Sequence, residues 1–267
     1  FLGYESGNGA SNANGSNFLG NFSGSNSTNA NNSNFFGFVS GRNATNAYFS
    51  NFIGPGSGDA AINANNSNFF GPYTGLNAAS ANNSNFIGKY TGRNAVNAAN
   101  SIFIGTETGD SSVNLANSIV VGKYSGRKET LNTTTGGTSI QIGNNTNSGG
   151  FKNTMILGDS ATSTAENQLY IASKYKKIAL SGVEYTLPTG QGVSNSFLKN
   201  NGSGVLSWDT VSSGGGGTTT NAVTFNNSGS GDASGTTFNG SAARTISHNS
   251  IGAAPLASPT FTGTVTI

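Results

Sequence analysis

The chain has 267 residues, 40 of them Gly, with 8% charged side chains, a formal net charge of +2 and no Cys. That balance, without a basic stripe interleaved with aromatics, gives no electrostatic basis for a nucleic-acid partner, and the missing Cys excludes disulfides and thiolate metal sites. No apolar run approaches the ~18 residues of a membrane span, so no membrane insertion is expected from these residues.

A Gly-rich chain with few charges often stays disordered, but here the aromatics keep register. Phe18, Phe35, Phe52, Phe69, Phe86 and Phe103 recur every 17 residues, as do the glycines Gly20, Gly37, Gly54, Gly71, Gly88 and Gly105 and a second set beginning Gly24, Gly41, Gly58. A period this short cannot bury a core within one unit, so copies must stack as a solenoid. Short apolar runs bounded by Gly and Asn are strand and turn signals, and no helical period is present. The glycine columns suit left-handed backbone, which Asn also tolerates. The expected fold is therefore all-β, a parallel β-roll or β-solenoid whose unit holds two short strands and two turns. Coils one strand spacing apart, about 4.8 Å, make the eight clear repeats a rod of roughly 40 Å.

Each repeat carries an adjacent apolar pair, such as Phe35-Phe36, Phe52-Ile53 or Val120-Val121. Adjacent strand residues point to opposite faces, so one member fills the coil and the other forms an apolar stripe on a lone solenoid. Such a stripe marks an interface, and a cyclic homo-oligomer closes it. Neither the number of chains nor the face taken by each member follows from the pattern. Another column alternates in charge, with Arg42 one coil from Asp59, and Arg93, Asp110 and Arg127 in succession; stacked, these make cross-strand ion pairs. A third holds Phe22, Tyr73, Tyr90 and Tyr124, beside Lys89 and Lys123. Such rings either cover the turn or offer sugars a platform, and Tyr73, Tyr90 and Tyr124 are the candidate glycan contacts.

The pattern Asn-Ser-x-apolar-apolar-Gly-x-x-x-Gly-x-x-Ala-x-Asn-Ala, seen from Asn32 to Ala47, resembles the head repeats of trimeric autotransporter adhesins. It is still more similar to related repeats in bacteriophage tail fibres. The resemblance covers about residues 1–126, with degenerate copies at Ser139–Gly143 and Thr154–Gly158. It implies left-handed parallel β-rolls assembled as an elongated homotrimer.

Periodicity decays after Arg127. Thr133–Gly137 is expected to be an insertion, and Glu166–Ala172 a strand that closes the apolar stack. Lys174, Lys176 and Lys177 are expected to be a solvated surface. Leu187-Pro188-Thr189-Gly190 and Phe197–Trp208 resemble a module of phage fibre and other virion proteins, a hairpin with Trp208 in its core. Ser212–Thr220 is a flexible linker by composition. Thr237–Ser247 and Ile251–Gly263 resemble a recurrent segment of tailed-phage tail fibres. The expected organisation is a β-roll shaft over 1–128, degenerate coils and a closing segment over 129–182, and a small β-hairpin module over 183–211. A linker over 212–221 and a connector over 222–267 follow, beyond which the chain is expected to continue.

Catalytic chemistry finds no constellation. His248 stands in a polar context, no nucleophile elbow accompanies it, and the sparse acids suggest no glycosidase pair. No catalytic, cofactor-binding or metal-binding residue is expected. The resemblances imply a structural, adhesive virion fibre, made in the host cytoplasm, that touches other tail or baseplate proteins and a host cell-surface glycan or protein. The alternatives are a bacterial trimeric surface adhesin and the shaft of a tailspike whose enzymatic domain lies outside these residues.

Overall fold

The computed structural model describes residues 1–131, 138–172, 174, 177–210, 221–226, 231–233, 236, 238, 242–248, 250 and 251. The expected insertion at Thr133–Gly137, the Ser212–Thr220 linker, Lys176 and the connector's Ala253–Gly263 stretch lie outside them. The chain divides into two units, Phe1–Tyr175 and Lys176–Ile267.

The first unit is a β-solenoid whose spine is one ten-stranded parallel sheet in chain order. Its strands are β1 (Asn17–Leu19), β2 (Asn34–Phe36), β3 (Asn51–Ile53), β4 (Asn68–Phe70), β5 (Asn85–Ile87), β6 (Ile102–Ile104), β7 (Ile119–Val121), β8 (Ser139–Ile142), β9 (Thr154–Leu157) and β10 (Leu169–Ile171). Leu2 adds one more rung by bridging Leu19. Register follows the repeat, with Phe18 over Phe35, Phe35 over Phe52 and Phe52 over Phe69. No helix occurs among the described residues.

The coil differs from the expected two strands and two turns. Each 17-residue coil holds one three-residue strand and one single-residue bridge, as in the run Ser11, Thr28, Thr45, Ile62, Ala79, Val96, Val113. The reason is the density of left-handed backbone. In the coil from Gly37, Val39, Asn43, Asn46 and Phe49 all have positive φ of 50–56° in addition to Gly37 and Gly41. A chain that turns back so often cannot extend for a second strand. Asn dominates these positions because its side chain tolerates left-handed backbone better than most.

Inside the coils the phenylalanines form one aromatic column. Ring centroids from Phe18 to Phe103 are 4.7–4.8 Å apart with interplanar angles of 3–9°. Buried alanines such as Ala44, Ala47, Ala61 and Ala64 fill the rest of the section. The invariant serines satisfy the turns. Ser33 Oγ donates to Ala47 O at 2.6 Å and accepts the Ser50 N–H at 3.1 Å, and the pattern repeats one coil on. A second buried hydroxyl column does the same work, Ser40 Oγ donating to Phe52 O and Ser57 Oγ to Phe69 O, both at 2.8 Å.

Glycine is required where the turn closes over the ring of its own coil. Gly58 has φ +63°, and a Cβ there would stand 2.5–2.6 Å from the Cε2 and Cγ atoms of Phe52. Gly58→Ala is therefore expected to lower stability by about 2–4 kcal/mol, combining left-handed strain with overpacking. Denaturant titration beside a Gly182→Ala control, whose Cβ meets nothing within 4 Å, checks it; equal losses in the two variants contradict the packing account.

The aromatic column ends in a polar step. Val120 pairs with Gln141, which in turn pairs with Ile156. Beyond it a smaller apolar cluster of Ile156, Ala161 and Ala172 continues to β10, the last strand of the sheet.

Among its described residues the second unit contains only short strand pairs. β11 (Lys177–Leu180) and β12 (Val183–Thr186) are antiparallel, as are β13 (Ser196–Asn200) and β14 (Leu206–Thr210). Thr186 bridges Val205, and β15 (Val223–Phe225) runs parallel to β16 (Arg244–Ile246). Trp208 is not the buried core residue expected of it. It is 44% exposed, its ring set against Gly192 and its indole N–H donating to Gly190 O at 2.7 Å, because so few residues surround a two-stranded ribbon.

Candidate functional site

Three surface columns of the solenoid carry what chemistry it has. The first is the outer face of the sheet. The inward member of each apolar pair is the first one: Phe35, Phe52, Phe69, Phe86 and Phe103 are fully buried. The second points out, and Leu19, Ile53, Phe70, Ile87, Ile104 and Ile142 remain 37–46% exposed. Two residues before it, on the same face, stands an asparagine ladder, Asn17, Asn34, Asn51, Asn68 and Asn85, each amide donating to the next at 2.7–2.8 Å. From β6 onward Ile102, Ile119, Ile140, Met155 and Leu169 replace the asparagines, so the face turns apolar across both columns.

The second column is the ion ladder. Arg42 Nε and Nη2 donate to Asp59 Oδ1 and Oδ2 at 3.1 and 2.6 Å, and Arg93 meets Asp110 in the same bidentate way at 3.0 and 2.7 Å. Arg127 lies 3.0 Å from Glu107 and 3.7 Å from Asp110. These hydrogen bonds push the Arg42 and Arg93 guanidiniums still higher, so both stay charged.

The third column holds the three candidate tyrosines, which the fold does not gather into one platform. Tyr73 and Tyr90 stack with centroids 5.3 Å apart and 17° between planes, and Tyr73 lies against Gly56 of the preceding coil. Lys89 Nζ and the Arg93 guanidinium stand 5.0 and 4.5 Å from the Tyr90 centroid. Tyr124, two coils on, carries Lys123 Nζ at 4.7 Å and the Arg127 guanidinium at 5.5 Å. Ring faces that a sugar would need are thus taken by cations of the same turn and, for Tyr73 and Tyr90, by neighbours along the stack.

Glu129 is the residue that the sequence pattern missed. It stands in the coil interior, in the column occupied by Ala44, Ala61, Ala78 and Ala95 in earlier coils. Gln141 Nε2 donates to its Oε2 at 2.7 Å, the Ser148 N–H donates to Oε1 at 3.0 Å, and Ser148 Oγ also donates to Oε1. Burial pushes the carboxyl up to about 7, against the opposing pull of the hydrogen bonds from Gln141 and Ser148. A lone acid in a buried column of alanine and serine (Ser112 stands one coil before it) was the available signal.

His248 falls in the turn after β16. Lys174 and Lys177 pair with Asp159 at 2.7 Å and Glu184 at 2.8 Å. Among the described residues no three His, Asp or Glu side chains gather as a metal site, and no helix is long and apolar enough to cross a membrane. No protein-family model, curated protein or solved structure matches the chain.

Proposed function

We propose that the chain is a structural and adhesive fibre segment of a tailed bacteriophage, an elongated homotrimer that spaces and presents host-receptor-binding parts without turnover of its own. The observation that carries this reading is the outward apolar column, exposed in coil after coil and broadened to two columns from β6 to β10. A rod that leaves such a face in water associates through it, and association of like chains brings rung against rung. The phage setting rests on the resemblance of Thr237–Ser247 and Ile251–Gly263 to tail-fibre segments.

Light scattering of the purified chain is expected to give three chain masses. Ile104→Asp should dissociate the assembly while each coil stays folded, since an unpaired carboxylate costs several kcal/mol when buried between chains but is solvated on a free coil. A well-behaved monomer of the unaltered chain, or cleavage of host polysaccharide abolished by neutralising one Asp or Glu, overturns the reading.

A further inference from the structure

Two turns of the solenoid are near copies of each other. Lys89-Tyr90-Thr91-Gly92-Arg93 recurs as Lys123-Tyr124-Ser125-Gly126-Arg127. Two coils separate them, which at a step of 4.8 Å per coil places like atoms about 10 Å apart along the stack. The coil between carries both local acids, Glu107 and Asp110, and each is bound to a guanidinium of the flanking turns. The arginines are thereby neutralised, whereas none of the described ion pairs engages Lys89 or Lys123. Both ammonium groups are held over the rings of exposed turns.

Tyr90 and Tyr124 have φ +58° and +63°, in a column whose left-handed backbone runs through every coil, with Phe22, Val39, Gly56, Tyr73 and Glu107 at φ 50–64°. The conformation belongs to the turn; what sets these two turns apart is the lysine held over the ring.

We infer that the Lys89–Tyr90 and Lys123–Tyr124 turns form one two-pronged site for an acidic polysaccharide, its carboxylates meeting the two ammonium groups and its hydroxyls the tyrosine edges. The biological setting, a polymer on the host surface, rests on the fibre reading; the binding itself does not. A spacing of about two strand steps suits a chain with one carboxylate per disaccharide. Nucleic acid fits worse, since its phosphates recur every ~3.4 Å of helix axis on each strand, much denser than the two prongs.

The full chain is tested by calorimetric titration with hyaluronate fragments, neutral dextran and oligo-dT. Hyaluronate is expected to bind, to weaken as salt screens the charges, and to lose about tenfold in affinity in the Lys89→Gln/Lys123→Gln double variant, the size of one or two exposed ion pairs. The double variant should melt within a few degrees of the unaltered chain, since each lysine gives up only one exposed cation–π contact. Hyaluronate binding no tighter than dextran, unchanged binding by the double variant, or equal binding of oligo-dT overturns the inference. Light scattering on the same samples separates the two failures, because a trimer that ignores hyaluronate removes the site and leaves the fibre reading standing.

Discussion

Phe69→Ala is expected to remove about 3–5 kcal/mol of stability, the usual range for emptying a buried aromatic site. Phe69 is fully buried and stacks on Phe52 and Phe86 at 4.8 Å on either side, so its loss removes ring contacts on both faces. The section cannot collapse to refill the space, because the coil backbone is pinned above and below by strand pairing with Phe52 and Phe86. Phe38→Ala, in an exposed turn outside the outward apolar column, should cost much less. Chemical denaturation of both variants measures the difference. Equal losses would mean that the aromatic column does not hold the solenoid together.

The second large effect is on the pH dependence of stability. Glu129 has an ordinary value of 4.5 and about 7 in the folded chain. Between those values the folded state holds a proton that the unfolded state has released, so stability falls as pH rises through that window. The contribution is fully present below pH 4.5 and lost above pH 7, a change of about 3 kcal/mol. Glu129→Gln keeps the shape and a hydrogen-bonding amide but cannot ionise. It should therefore flatten the profile between pH 5 and 8 and be the more stable protein at pH 8. Asp159, Glu184 and Asp209 are lowered by lysine partners and act in the opposite sense at more acidic pH. A profile for Glu129→Gln that still falls from pH 5 to 8 would contradict the assignment.

Much of the solenoid was legible because its period is strict. A fixed interval of 17 residues determines which residues stack, and so Phe35 over Phe52 and Arg42 over Asp59 follow from counting. A period does not say how the chain curves between repeats. Hence the second strand was expected where the chain instead makes left-handed turns, and the inward member of each apolar pair stayed open until the coil was seen. Glu129 was hidden for another reason. Counting by 17 from Ala95 through Ser112 does reach it, but its partners Gln141 and Ser148 lie beyond a coil that takes 21 residues, from Ser118 to Ser139, so the pocket that buries it could not be assembled by counting. Trp208 shows the limit of composition in a small ribbon, where an aromatic residue expected to be core has too little chain around it to be covered.

The hydrogen bonds between coils all point along the stack, from Gly54 N–H to Phe36 O and Gly71 N–H to Ile53 O onward. A pull on the two ends of the solenoid therefore loads these interfaces in series, and the weakest one decides where it parts. Each repeat interface from Phe18 to Phe103 carries a stacked ring pair in addition to its hydrogen bonds. The interface where Val120 meets Gln141 carries none and sets a buried acid beside an amide. Beyond Phe103 none of the described interior rungs stacks a ring on a ring, and the rung at Gln141 is polar as well, so the built-in breaking point lies at this end; raising the pH, by ionising Glu129, lowers the force at which it yields.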